Sequence, residues 1–431
     1  MGSPPIEHTL KPIEAKLGRK RCHISALPSD LKMPYVQVVR ILERNSSTLQ
    51  RRVLLKLPAL AASALRFGRT EPLAVNKQHG EAYRGEINQL IASKMQDGHV
   101  PGMAIAIVVA GNPLYLHAYG KANVELNAFV TPASPFKIAS LTKPFTSTIV
   151  MMLVEEGKIG LDEHLNRYLA SMPVQWSEVT VRQALSQTSG VEDYLKSPDW
   201  SWRDSWRLQL TPNEVIEMAS KAPLRFAPGA AMKYSNTGYY LLGMLIEKVT
   251  GQPYGRVLSE RIFQPLKMQA SRRDTLTGIV LNRVSGYAFE NAVLQNAEYT
   301  SDTWAFSEGG VLSSISDLAQ FDSALYTEKL VKRSTLAEMW TPTKLNSGEM
   351  GVIGHNAVGE PNYYGLGWFI GHYRNHKIVF HGGDKPGFSS LFVRFADESL
   401  TIIVLANLLS PNLVFSVATG VADLYLSDTK K

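Results

Sequence analysis

Ser140-Leu141-Thr142-Lys143-Pro144-Phe145-Thr146-Ser147-Thr148-Ile149-Val150-Met151-Met152-Leu153-Val154-Glu155-Glu156 puts a serine and a lysine three residues apart at the head of an apolar run. Residues three apart share one face of a helical turn, so this hydroxyl and this amine can meet. Pro144 sits near the start, where a missing N–H matters least. The run behind it reads as a buried central helix with Ser140 on its opening turn. A serine hydroxyl is a poor nucleophile at neutral pH and needs a base. A lysine can serve when burial and nearby positive charge lower its pKa. The positive end of the helix dipole favours the developing alkoxide.

Ser-x-x-Lys alone is weak evidence, since Ser29-Asp30-Leu31-Lys32 also fits. Two further elements follow the second match in order. Tyr234-Ser235-Asn236 comes after Phe226-Ala227-Pro228-Gly229 and before an apolar helix, Thr237 to Val249. That context places Tyr234 and Asn236 on a turn between elements, where reactive side chains are displayed. The rival match, Tyr373-Arg374-Asn375, lacks it. A phenol beside an ammonium can shuttle a proton to a leaving group, and Asn236 can donate to a substrate carbonyl. The third element is His381-Gly382-Gly383, at the end of a strand Lys377-Ile378-Val379-Phe380. Glycine lets a substrate backbone approach a strand edge closely.

These three elements resemble the Ser-x-x-Lys, Tyr-x-Asn and Lys-or-His-x-Gly boxes of class C β-lactamases and their relatives. Those relatives include DD-peptidases, D-aminopeptidases and family VIII esterases. The resemblance covers about residues 84–425 and is supported by Val100-Pro101-Gly102, Leu185 to Val191, Gly309 to Ser313, Gly365 to Trp368 and Pro386-Gly387-Phe388. It implies Ser140, Lys143 and Tyr234 as catalytic residues, with Asn236, His381 and Gly383 binding substrate. It also implies an oxyanion hole from the backbone N–H groups of Ser140 and Asp384. The expected reaction is acyl transfer to water through an acyl-Ser140 intermediate, on esters, D-amino-acid peptides or β-lactams. Which of Lys143 and Tyr234 is the base stays open here, since a coupled pair titrates jointly. The alternative is a non-catalytic penicillin-binding-type sensor, which has no need of all three boxes together.

Two positions depart from the family pattern. Gln187 stands where relatives often carry His, and is read as structural and of little consequence. His381 replaces the lysine typical of true class C β-lactamases. A lysine is a permanent cation for a substrate carboxylate, whereas a histidine is mostly neutral near pH 7. That favours peptidase or esterase-like activity over efficient β-lactam hydrolysis.

Strand signals come from both chain ends. Residues 102–109 read as a buried strand, Gly111-Asn112 as a turn and 114–119 as its hairpin partner. Residues 376–381, 389–395 and 400–407 are strand-like, and 80–97 form an amphipathic helix ending near Gly98. The middle, about 140 to 345, reads as mostly helical. The expected fold is α+β: an antiparallel sheet flanked by helices, with a helical inserted subdomain over about 155–300 of a hydrolase domain at 80–431. The resemblance makes this fold β-lactamase/transpeptidase-like.

The net charge of +7 is unevenly placed. Residues 1–56 carry 11 Lys+Arg against four Asp+Glu, which leaves 57–431 with 34 of each sign. A neutral body gives no electrostatic reason to expect nucleic-acid binding. The one cysteine is Cys22, so the body has no thiol chemistry. The ten histidines form no tight ligand motif, and neither metal nor cofactor is expected. No run of about 18 apolar residues exists to span a membrane. Arg51 and Arg52 precede a short apolar run, and Ala62-Ser63-Ala64 suits a signal peptidase. Residues 1–79 are accordingly read as a leader and linker resembling a twin-arginine export signal, with Gln50 and Leu54 departing from that pattern and Met33 as an alternative start. The expected destination is the periplasm, or the cytoplasm if the leader is inactive. The expected partners are the export machinery and a small-molecule or peptide substrate, and oligomeric state is not legible.

Overall fold

Every residue of Gly102–Val109 is buried, because both faces of this strand are covered. A strand sandwiched on both sides reads as a continuous apolar run without alternation. Ala104, Ala106 and Val108 face one core, and Met103, Ile105, Ile107 and Val109 the other. A computed structural model describes residues 83–197, 207–301, 303–356 and 359–426. The leader, with its paired arginines and Ala62-Ser63-Ala64, lies outside the described residues.

The strand Gly102–Val109 is β1 of a nine-stranded sheet. Its other members are β2 (Asn112–Asn123), β3 (Ala128–Phe129), β4 (Val352–His355), β5 (Pro361–Tyr364), β6 (Phe369–Tyr373), β7 (His376–Lys385), β8 (Phe388–Phe395) and β9 (Leu400–Ala406). Their order is β3-β2-β1-β9-β8-β7-β6-β5-β4, and each neighbouring pair is antiparallel. The two chain ends meet where β1 pairs β9, from Met103 opposite Ala406 to Val109 opposite Leu400.

Five helices of ten residues or more are described: α1 (Arg84–Asp97), α2 (Lys143–Glu155), α3 (Asn236–Thr250), α4 (Ile315–Ala324) and α5 (Pro411–Leu426). Ile87 and Ile91 of α1 and Val414, Val417, Val421 and Tyr425 of α5 cover one sheet face. Helices α2, α3 and α4 join the core on the other, through Phe145, Ile149, Leu242, Ile246, Leu318 and Phe321.

The antiparallel sheet with flanking helices agrees with the α+β reading. The middle of the chain, however, also contributes strands. Phe136–Lys137, Val311–Ser313 and Arg272–Arg273 form a three-stranded sheet, and Tyr287–Glu290 pairs with Val293–Asn296. Helix α5 was missed in the sequence although its polar residues Asn412, Ser416, Thr419 and Asp423 recur at helical spacing opposite the buried Leu413, Val414, Val417, Ala418, Val421 and Ala422. No described helix is long and apolar enough to cross a membrane.

Candidate active site

The turn that presents Ser140 is strained. Ala139 adopts φ +47°, a conformation L-residues avoid, and a 3₁₀ turn over Ala139–Thr142 then leads into α2. Such strain persists only where surrounding packing fixes it, typically at functional sites. The fixing partner is β7. A Cβ built on Gly383 would fall 2.1 Å from Ile138 O and 2.7 Å from Ser140 N, so only glycine lets this strand lie against the turn. Ser390, opposite Gly383 in the sheet, donates from Oγ to Ile138 O at 2.8 Å.

Lys143, the first residue of α2, is fully buried, while Ser140 is half-buried. The lysine Nζ lies 3.2 Å from Ser140 Oγ. It donates to Asn236 Oδ1 and to the Glu308 backbone oxygen, both at 2.8 Å. Nζ also stands 4.8 Å from the centroid of the Tyr234 ring. Burial lowers the lysine pKa to about 7, against the buried carboxylates of Glu308 and Asp193, which pull it upward. Residues 93 and 165 positions away along the chain thus meet at one amine.

Tyr234 precedes α3, and Asn236 is the first residue of that helix, not part of a free turn. Three groups fasten this segment. Gln187 accepts the Ser235 N–H at 2.7 Å. Arg225 donates to the Tyr234 carbonyl at 3.1 Å and to Glu192 at 2.7 Å. The Tyr234 ring stacks parallel to Phe369, 6.1 Å between centroids. Gln187 itself takes φ +63°, and its carbonyl accepts the Lys233 N–H at 2.9 Å. Its role is structural, as read, but its consequence is larger than expected: it clamps the tyrosine box from both its side chain and its backbone.

His381 differs from the reading in placement. The strand does not stop at Phe380 but runs through Lys385, so His381, Gly383 and Asp384 are strand residues. Pairing with β6 ends at Phe380, opposite Phe369, whereas pairing with β8 continues to Lys385. Residues 381–385 therefore keep one edge without a strand neighbour among the described residues. His381 is fully buried. Its Nδ1 lies 2.7 Å from Gly382 O, which only accepts, so Nδ1 carries the proton. Tyr364 then donates its hydroxyl to Nε2 at 3.1 Å. Burial, reinforced by the Lys143 charge, pushes the imidazole down to about 3. It is neutral across the physiological range, more firmly than the exchange of residue type alone implied. Ser389 donates to the Asp384 carboxylate at 2.7 Å.

The site also contains residues that the sequence reading missed. Glu308 is buried, with its carboxylate accepting the Phe306 N–H and the Tyr194 hydroxyl. Asp193 is buried and accepts from Asn236 Nδ2 at 3.1 Å. A lone acid before Gly309-Gly310 was the one signal for Glu308; nothing in the sequence marks Asp193. The rival motif at 373–375 has another use: Tyr373 and Arg374 both bind Asp423 of α5, away from any lysine box.

A serine–lysine pair at the head of a buried helix, set against an open sheet edge, defines a β-lactamase-related hydrolase. The chain belongs to the beta-lactamase family, whose sequence profile matches residues 87–426. It is 30% identical over 334 residues to penicillin-binding protein 4* of Bacillus subtilis, covering 74% of this chain and 71% of that one. Among solved structures, the octameric penicillin-binding protein homologue from Pyrococcus abyssi superposes with a TM-score of 0.68 at 27% identity, over 80% of this chain and 77% of that one. A D-stereospecific amidohydrolase from Streptomyces sp. superposes with a TM-score of 0.64 at 26% identity, over 78% and 98%.

Proposed function

We propose that this hydrolase transfers acyl groups to water through a covalent ester on Ser140, and that it prefers esters and D-amino-acid amides or peptides to β-lactams. One observation carries the reading. A neutral lysine amine has two N–H donors and one lone pair. Asn236 Oδ1 and Glu308 O take both donors, which leaves the lone pair for the Ser140 hydroxyl at 3.2 Å.

In the first step Ser140 Oγ bonds to the substrate carbonyl carbon as its proton passes to Lys143. The carbonyl oxygen becomes an oxyanion held by the N–H groups of Ser140 and Asp384; losing one such donor costs about 3–4 kcal/mol. The tetrahedral intermediate then expels the leaving group, which takes a proton from Lys143 through the Tyr234 phenol. Water repeats the sequence on the acyl-enzyme and frees the acid. The Tyr–Lys pair performs the proton transfers in both directions, so no metal or cofactor enters any step.

The substrate preference rests on His381. A neutral, buried imidazole offers no permanent cation to the carboxylate that β-lactams and peptides cleaved beside their C-terminus carry, so esters, amides and peptides cleaved away from that carboxylate stand first. Likeness to a D-stereospecific amidohydrolase supports D-configured amides among the candidates. Substrate backbone is read along the open edge of β7, with Gly383 giving it room and Asn236 orienting the amide. Passage through the twin-arginine route to the periplasm belongs to this proposal, on the strength of Arg51, Arg52 and Ala62-Ser63-Ala64; N-terminal sequencing of the native protein tests it.

The deciding experiment compares rates on p-nitrophenyl esters, D-alanyl-D-alanine peptides, D-amino-acid amides and nitrocefin, with intact mass read before and after. An acyl adduct that disappears in Ser140→Ala is expected. No adduct with any substrate removes the covalent mechanism, and a nitrocefin rate far above the others reverses the preference.

A further inference from the structure

Asn236 stands between two groups of opposite hydrogen-bonding character. Lys143 Nζ lies 2.8 Å from its Oδ1, and Asp193 Oδ2 lies 3.1 Å from its Nδ2. All three side chains are buried. A lysine nitrogen committed to two carbonyl oxygens donates to them, and a carboxylate only accepts. The amide therefore has one satisfying orientation. Turned over, its NH₂ would confront the lysine N–H and its oxygen the carboxylate, and both contacts would be repulsive.

Asp193 is itself rigidly held. Its Oδ1 accepts the Leu195 N–H at 3.2 Å, capping the short turn Tyr194–Lys196. The segment around it is bolted to α3, since Thr237 Oγ1 accepts the Tyr194 N–H at 2.9 Å and donates to Glu192 O at 2.7 Å. Burial raises the Asp193 carboxyl, while the Leu195 N–H and the charges of Arg225, Lys143 and Lys196 oppose that rise.

We infer that Asp193 is a positioning residue for the base: through the Asn236 amide it fixes which face of that amide Lys143 meets, and so aims the lysine lone pair at Ser140. This rests on the acyl-transfer reading above. It makes the chain Asp193–Asn236–Lys143 a polarity relay, in which the order of carboxylate and amide matters less than their alternation.

The relay predicts reciprocal rescue. Asp193→Asn replaces the acceptor with a group that can no longer both cap Leu195 and receive Asn236. Asn236→Asp places two carboxylates together. Each single change should slow Ser140 acylation at least about tenfold, the loss expected when a hydrogen bond to a charged group fails, with KM little moved for Asp193→Asn and raised for Asn236→Asp, which also loses the amide donor to substrate. Combined, the new amide at 193 caps Leu195 through its oxygen and donates to the new carboxylate at 236, which accepts from Lys143. Because a carboxylate at 236 also raises the Lys143 pKa, the comparison is made above that raised value, where the double variant should acylate at least about fivefold faster than Asn236→Asp alone.

Acylation by p-nitrophenyl acetate, followed by stopped-flow absorbance and intact mass with melting curves for every variant, reads this out. Single variants within about twofold of wild type overturn the inference, as does a double variant no faster than the slower single. A merely structural cap at Asp193 predicts that second result. If Asp193→Asn is too unstable to assay, the double variant is compared with Asn236→Asp: faster acylation supports the relay, and acylation no faster refutes it whatever the melting curve shows. Wild type that takes no acyl group fails the acyl-transfer reading itself, a result distinct from a missing rescue.

Discussion

Gly383→Ala asks the most of the geometry. The added methyl would sit 2.1 Å from Ile138 O, 2.7 Å from Ser140 N and 2.8 Å from Leu141 N, all backbone atoms. Ordinary contact at such atoms begins above 3 Å, so strand or turn must move by about 1 Å. Neither retreats freely. Gly383 is registered opposite Ser390 of β8, and Ser390 is hydrogen-bonded to Ile138. The displacement therefore falls on the Ser140 turn, which carries both the proposed attacking oxygen and one proposed oxyanion donor. A misplacement of about 1 Å at a reacting centre can reduce rate about 100-fold, and overpacking of this kind destabilises by about 1–3 kcal/mol. Steady-state hydrolysis of a p-nitrophenyl ester should show kcat down about 100-fold with a smaller change in KM, alongside a modest fall in melting temperature. A variant that melts lower but keeps kcat within about threefold would falsify the claim that this contact sets the attack geometry.

Four other outcomes follow from the site. Because the neutral amine is the proposed base and Lys143 is brought down to about 7, kcat/KM for an ester should rise through pH 7; a flat profile there refutes the assignment. The unfolded lysine keeps its proton up to about 10.5, so between those values the unfolded state binds more protons and this group's contribution to stability grows with pH. His381→Lys should raise relative rates on carboxylate-bearing substrates while lowering stability, since a buried ammonium there has no described carboxylate partner; an unchanged substrate ranking contradicts the reading of that position. Gln187→Ala leaves the buried Ser235 N–H without its acceptor and should cost about 1–3 kcal/mol in urea denaturation, with kcat falling as the tyrosine box loosens; unaltered stability removes Gln187 as a clamp.

Local pattern carried much of the chain. Helix α2 and strands β1, β8 and β9 were legible because apolar runs bounded by turn residues have few alternatives. The three boxes were legible as ordered motifs, each with its residue types intact. Where local pattern was silent, the reading stopped. Strand β7 continues through Gly382-Gly383, residues that alone signal a turn.

Sequence by itself determined that Ser140 and Lys143 share a helical turn, since spacing of three is a property of the backbone. It also determined that position 381 carries no permanent cation. Only the tertiary structure decided what surrounds the lysine: Asp193 and Glu308, buried carboxylates from separate segments, and the carbonyl of Glu308 itself. It alone decided that His381 is held neutral against Tyr364, and that Gly383 serves to admit the Ser140 turn as much as any substrate. The physical reason is that electrostatic environment and close approach depend on which distant segments share a low-dielectric interior, and motif spacing along the chain carries no record of that.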